Sequence, residues 1–200
     1  MNAKQMDAKA LYELITARRS CRSYRAEQVP LELLEQVLKA GQMAPSGMNV
    51  QQCHFIAVRA PELLERVRLL MQQIVAAMEP DGANPLMERA VALARAGEHN
   101  FFYGAPTLII VANRRGNQNN VADSAAALQN MMLMATSLGL GNCWINNLRW
   151  HGDVEAVRQF LTEIGVKDDE AVYGGLALGF ASAETGAALP RTGNVADIIE

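Results

Sequence analysis

"PTLIIVANRRGNQNNVADSAAALQNMMLMATSLGLGNCWI", residues 106–145, carries the decision about the fold. The β-branched run at 106–113, behind a proline, reads as a strand. "RRGNQNN" is polar and loop-like. Residues 121–138 then place Ala125, Leu128, Met131, Met132, Ala135 and Leu138 at helical spacing, a long apolar helix whose methionines are core material. Gly139 suits a helix C-cap, and "CWI" is a short second strand.

The same alternation extends in both directions. Ala10, Leu11, Leu14 and Ile15 predict an amphipathic helix over 6–17. Pro30 sits at a plausible first helical position, with Leu31, Leu34, Val37, Leu38 and Ala40 on one face, and "APSGMN" breaks that helix. "FIAV" at 55–58 is a strand. Pro61 opens a helix carrying Leu64, Val67, Leu70, Met71, Ile74 and Met78, "EPDGANP" is a loop, and a further helix covers 86–96. Val154, Val157, Phe160, Leu161 and Ile164 make another helix, and "AVYGGLALGF" at 171–180 reads as a glycine-containing buried strand. About six helices and four or five strands result. Several crossovers contain two helices, so a simple doubly wound sheet fits poorly. The expectation is α+β: three layers, one mixed central sheet with helices on both faces, residues 1–200 as a single domain. The apolar end of "LPRTGNVADIIE" suits a tail exchanged with another subunit.

Composition narrows the function. Half of the 200 residues are hydrophobic, 20% are charged and the net charge is -3, which excludes a disordered chain and a general nucleic-acid binder. No apolar run reaches the length of a membrane span, and charges interrupt the N-terminal stretch where a signal peptide would need an apolar core, which points to the cytoplasm. Cys21, Cys53 and Cys143 are odd in number and widely spaced, so they read as reduced thiols. His54, His99 and His151 lie far apart, and no metal site is expected. There is no G-x-S-x-G elbow and no Walker A motif.

Three stretches can carry chemistry. "RRSCRSYR" at 18–25 crowds four arginines together. A guanidinium cannot lose its proton, and its fork matches phosphate oxygens two at a time. In an extended segment Arg18, Ser20 and Arg22 would share a face and form a phosphate cradle; the alternative is a solvated helix end favoured by the helix dipole. Cys21 among these arginines would have a lowered pKa if exposed. "APSGMNVQQ" at 44–52 offers Ser46, Asn49, Gln51 and Gln52, uncharged groups suited to polar ring edges; the alternative is an ordinary Pro-Ser-Gly turn. "SLGLGNCWINN" combines glycines that permit close backbone approach with Asn146 and Asn147, but it lacks a dinucleotide-binding G-x-G-x-x-G.

In their order, "RRSCRSY", "APSGMNVQQCHFIAV", "GAPTLIIV", "DSAAALQNMMLMATSLGLGNCWI" and "GGLALGF…LPRTG" resemble the FMN-dependent nitroreductase family over nearly the whole chain. The resemblance implies an α+β homodimer with FMN at each subunit interface. It implies that Arg18, Arg19, Ser20 and Arg22 contact flavin and phosphate, and that Pro45, Ser46, Gly47, Asn49 and Gln51 reach the flavin of the partner subunit. By the same resemblance, Trp144, Ile145, Asn146 and Asn147 pass along the isoalloxazine and Arg191 caps the phosphate. The implied reaction is ping-pong: NAD(P)H gives a hydride to flavin N5, and a nitroaromatic, quinone or similar acceptor takes it, with no side chain acting as catalytic acid or base. The alternatives are another flavin chemistry on the same fold (dehalogenation, enoate reduction, azoline oxidation, flavin fragmentation) or a non-catalytic flavin-binding module. Gly193 stands where members often carry a second basic residue, and Asn146 where many carry an acid.

Overall fold

The structure is a computed structural model that describes residues 7–80, 82–183, 186 and 190–199. The elements run α1 (Ala8–Ala17), α2 (Leu31–Gln42), β1 (His54–Val58), α3 (Pro61–Ala76), α4 (Pro85–Arg95), β2 (Thr107–Arg114), α5 (Asn120–Ser137), β3 (Gly141–Ile145), α6 (Asn147–His151), α7 (Glu155–Glu163) and β4 (Glu170–Gly179). Met6, at the start of the expected first helix, lies outside the described residues, as do Leu189 and Glu200 of the tail. Among the described residues no helix is long and apolar enough to cross a membrane.

The strands form one sheet in the order β1-β2-β4-β3, and each neighbouring pair is antiparallel. This corrects the expectation of a mixed sheet. The reason lies in counting helices: one helix between two strands carries the chain across to start a parallel strand, whereas two return it to the end it left. Two helices, α3 and α4, separate β1 from β2, and α6 and α7 separate β3 from β4. The single helix α5 links β2 to β3, which run the same way but have β4 between them. Among the described residues, parallel pairing is confined to the bridge between Ser20 and Asn142.

Both sheet faces are covered. Leu108, Ile110 and Ala112 of β2 pack with α3 (Val67, Met71) and α7 (Val157, Phe160, Leu161). Ile109 and Val111 face the other way, onto α2 (Leu34, Val37) and α5 (Leu128, Met131, Ala135). β2 is therefore apolar without alternation, as a strand covered on both faces must be. By contrast, α1 has no buried residue, and its Tyr12 is 69% exposed.

Glu170 opens β4 as a buried carboxylate. Burial raises its pKa, but hydrogen bonds from His54 Nδ1 (2.9 Å) and the Lys167 N–H (3.0 Å) outweigh that, and the pKa lies below the usual value. A lowered carboxylate pKa contributes stability that is present above the unfolded value, about 4.3, and is lost as pH falls through the folded value. Urea melts should therefore show the stability gap between wild type and Glu170→Gln narrowing as pH falls from neutrality through this range; a gap independent of pH would contradict the assignment. Gly179 ends β4 where a Cβ would lie 2.6 Å from Pro106 Cδ and 3.0 Å from the Tyr24 ring. Gly179→Ala should cost about 1–3 kcal/mol in chemical denaturation, the scale of overpacking; a cost near zero would show that the Tyr24 segment is not closely seated.

Candidate functional site

The arginine stretch begins where α1 stops. Arg18 leaves the helix with φ -59° and ψ 128°, and its own N–H closes the last turn on Leu14 O (3.3 Å). The chain then lies as a strip across the ends of β3 and β4. The Cys21 N–H donates to Asn142 O (2.8 Å), the Arg25 N–H to Phe180 O (2.9 Å), and the Ser182 N–H returns to Ser23 O (3.1 Å). The Tyr24 hydroxyl donates to Cys21 O (2.9 Å) and pins the strip from beneath.

Alternate side chains of the strip have different surroundings. Arg18, Ser20 and Arg22 all bear on the Cys143 thiol: burial raises its pKa, while Arg22, a hydrogen bond with Ser20 and, more weakly, Arg18 pull it down. Arg19 turns back to donate to Thr16 O (2.5 Å) and Arg18 O (2.8 Å). It closes the C-terminus of α1, so the helix-end reading holds for this one arginine. Arg25 is tied through Nε to Ala181 O (3.1 Å). Cys21 is 2% exposed, and its thiol donates to Ser23 O (3.2 Å), so the condition for a reactive thiol is not met.

The electrostatics of the strip are one-sided. Burial, then the charges of Arg191 and Arg19, hold the Arg18 guanidinium below its usual pKa. Arg191 thus stands close enough to Arg18 to be felt. A hydrogen bond with Tyr103 raises the pKa of Arg22, whose guanidinium also lies over the Tyr103 ring, 5.8 Å from its centre. Among the described residues, Arg66, Arg68, Arg95, Arg114, Arg115 and Arg158 each have a carboxylate in ion-pair range, whereas Arg18, Arg19, Arg22, Arg25 and Arg191 have none, nor do Arg59, Arg89 and Arg149, which lie elsewhere in the sequence.

The 45–51 loop is built at the other end of α5. Gly47 opens a short 3-10 turn; a Cβ there would lie 2.2 Å from the Asn119 amide nitrogen, so any larger residue would have to displace the Asn119 side chain. Met48, Asn49 and Gln51 all have left-handed backbones, with φ of 50°, 56° and 50°. Such residues persist only where the surroundings over-determine them. The Gly47 N–H donates to Asp123 Oδ1 (3.1 Å), and the Gln51 N–H to Ser46 Oγ (3.0 Å). Pro45, Asn49 and Gln51 are exposed and Ser46 half-buried, and Met48 is 95% exposed. A cavity of about 340 Å³ lies beside the loop, lined by Pro45, Ser46, Gln51, Cys53 and Asp123 among others.

The end of β3 divides by face. Trp144 packs on the α5 side and its indole N–H donates to Asn146 Oδ1 (2.8 Å). Ile145 is buried in the opposite cluster, so only its main chain is left to line a ligand on the Trp144 side. Asn146 and Asn147 are half-buried at the start of α6. The chain therefore brings Arg18, Ser20, Arg22 and Arg191 into one group, but it does not bring that group to the 45–51 loop. Asp123, which holds the loop, and Thr136, which lines a cleft with Arg19 and Asn142, are thirteen positions apart on α5, about 20 Å. Sequence reasoning missed Tyr103, Asp123, Asn117 and Asn119. Of these only Asp123 carried a signal, as a carboxylate in the first turn of a long apolar helix.

Comparison with known proteins follows the same outline. The nitroreductase family model matches residues 15–180. A crystal structure of a nitroreductase with bound FMN from Bacteroides fragilis is 33% identical, with a TM-score of 0.85 over 96% of this chain and 100% of that one. A provisionally named NADH dehydrogenase/NAD(P)H nitroreductase of Methanothermobacter thermautotrophicus is 30% identical over 154 residues, 75% of this chain and 68% of that one. Mouse iodotyrosine deiodinase 1 is 35% identical over 69 residues, 34% of this chain and 24% of that one.

If Arg18 is held against its own electrostatic interest, removing it costs the ligand-free fold nothing. Arg18→Met should leave the thermal stability of ligand-free protein unchanged or raise it by up to about 1 kcal/mol at low ionic strength. A clear loss would make Arg18 a structural cation.

Proposed function

The chain belongs to the nitroreductase family, and from that premise we propose that it is an FMN-dependent oxidoreductase, one domain per chain, that passes a hydride from NAD(P)H to a nitroaromatic, quinone or similar small acceptor. One observation carries the cofactor assignment. Arg18, Arg22 and Arg191 stand without a carboxylate partner among the described residues, and Arg18 is pressed by its neighbours' charge. A phosphate dianion is the group that fits: it accepts forked hydrogen bonds and cancels the repulsion. Arg18, Ser20, Arg22 and Arg191 would hold it. Arg19, spent on the end of α1, serves the site by fixing the backbone from which Arg18 departs.

FMN, when bound, supplies the reversible uptake and release of a hydride. The chain's contribution is placement. Trp144, with its indole N–H committed to Asn146 Oδ1, leaves the Asn146 amino group to donate toward a ligand. Gly47, Asn49 and Gln51 present uncharged main-chain and side-chain groups to ring edges. We assign no acid or base to a side chain.

The site needs two chains in this reading. The 45–51 loop lies about 20 Å along α5 from the arginine group, so a twofold-related copy would supply the loop to each ring. The uncovered α1, with Leu11, Tyr12 and Ile15 exposed, supports a homodimer, as do Val195, Ile198 and Ile199, exposed in the tail that the dimer would exchange.

The purified protein should absorb at about 450 nm, bleach with NADH or NADPH, and regain its colour when a nitroaromatic or quinone is added without oxygen. Protein that purifies colourless and does not take up FMN would overturn the proposal. A bound flavin that neither nicotinamide reduces would leave a binding module. Turnover confined to halogenated phenols would favour reductive dehalogenation, the activity named by the partial match to deiodinase. Arg22→Ala should weaken FMN binding by about 1.5–3 kcal/mol, the scale of a charge-assisted hydrogen bond; unchanged affinity would mean that the phosphate lies elsewhere.

A further inference from the structure

We propose that Asp123 is a positioning residue that acts in trans: it holds the 45–51 loop of its own chain in the conformation that serves the cofactor bound by the other chain's arginines. This rests on the function proposed above and adds a residue that the reaction itself does not require.

Asp123 is 5% exposed, and among the described residues it has no cation in ion-pair range. A buried carboxylate is costly unless it is hydrogen-bonded. Here both oxygens are committed. Oδ1 accepts from the Gly47 N–H (3.1 Å) and Oδ2 from Asn117 Nδ2 (3.0 Å). Asn117 cannot turn over freely, because its own oxygen accepts from the Asn119 N–H (2.9 Å). Asn119 in turn fills the space that a Gly47 side chain would need. The position of Asp123 in the first turn of α5 adds the favourable end of the helix dipole.

This apparatus grips one main-chain N–H, at the start of a stretch holding three left-handed non-glycine residues. What it holds projects outward: Met48, Asn49, Val50 and Gln51 are all exposed. A carboxylate buried only to stabilise α5 would have no reason to spend an oxygen on an exposed loop. Because the loop and the arginine group of one chain lie at opposite ends of α5, the site that benefits belongs to the partner.

The test uses FMN affinity, read by flavin fluorescence quenching in ligand-free protein. Asp123→Ala and Arg22→Ala homodimers should each bind FMN about 10- to 100-fold more weakly than wild type, the fold-change of a lost hydrogen bond to a charged group. The two variants are then co-expressed with different tags and the heterodimer is isolated. One of its two sites combines intact arginines with an intact loop and the other combines both lesions, so about half the sites should regain wild-type affinity. Wild-type affinity in the Asp123→Ala homodimer would overturn the positioning role. Weakened homodimers whose heterodimer shows no wild-type sites would overturn action in trans. If Asp123→Ala does not fold, Asp123→Asn replaces it: the amide keeps an acceptor for Gly47 but sets a donor against Asn117. It should bind FMN several-fold more weakly, and Asp123→Asn with Asn117→Asp should restore affinity; failure of either result overturns the proposal. Wild-type protein that does not bind FMN would be seen first, and would remove the functional reading together with this one.

Discussion

The structure is organised around guanidinium groups that cannot shed their charge and, among the described residues, are not offered a carboxylate. Burial, then the neighbouring charges of Arg191 and Arg19, hold the Arg18 guanidinium below its usual pKa. A fold that is stable by only about 5–15 kcal/mol does not keep such an arrangement idly. Six other arginines of the chain find acidic partners. Among the described residues the strip at 18–25 does not, and its backbone is stitched to Asn142, Phe180 and Ser182. In the function proposed here, a bound phosphate would cancel that charge.

The second constraint is length. α5 sets the distance between the arginine strip near its C-terminal end and the strained loop at its N-terminal end. Its apolar face also fills the core beneath β2 and β4, so the same helix that buries Leu128 and Met131 spaces the strip from the loop. In the function proposed here, a second copy of the chain would bring the loop at one end of this helix to the arginine strip at the other.

Much of this was legible before any coordinates, and for identifiable reasons. β2 showed as a β-branched run, and α5 through eighteen residues of unbroken helical period. α6 did not show, because five residues are too few to display a period. Strand direction was misread, because it is not a local property; it follows from whether one helix or two intervene. Arg18 and Arg19 are indistinguishable as letters, yet Arg19 is spent on main-chain carbonyls at the end of α1, whereas the Arg18 guanidinium is held below its usual pKa by burial and the charges beside it. Tyr103 lies far along the chain from Arg22, and no spacing rule links them. Asp123 was hidden by its ordinariness, since an acid in a first helical turn needs no explanation until its hydrogen-bond partners are seen.

The phosphate is the group by which the strip would recognise its ligand. Isothermal titration of ligand-free protein with FMN and with riboflavin, which share the ring and ribityl chain and differ only in the phosphate, isolates it. FMN should bind at least about a hundredfold more tightly, the sum of two or more charge-assisted contacts, and the difference should shrink as salt screens the arginines. Equal affinity for the two, at any ionic strength, would contradict the claim that an anion neutralises this strip.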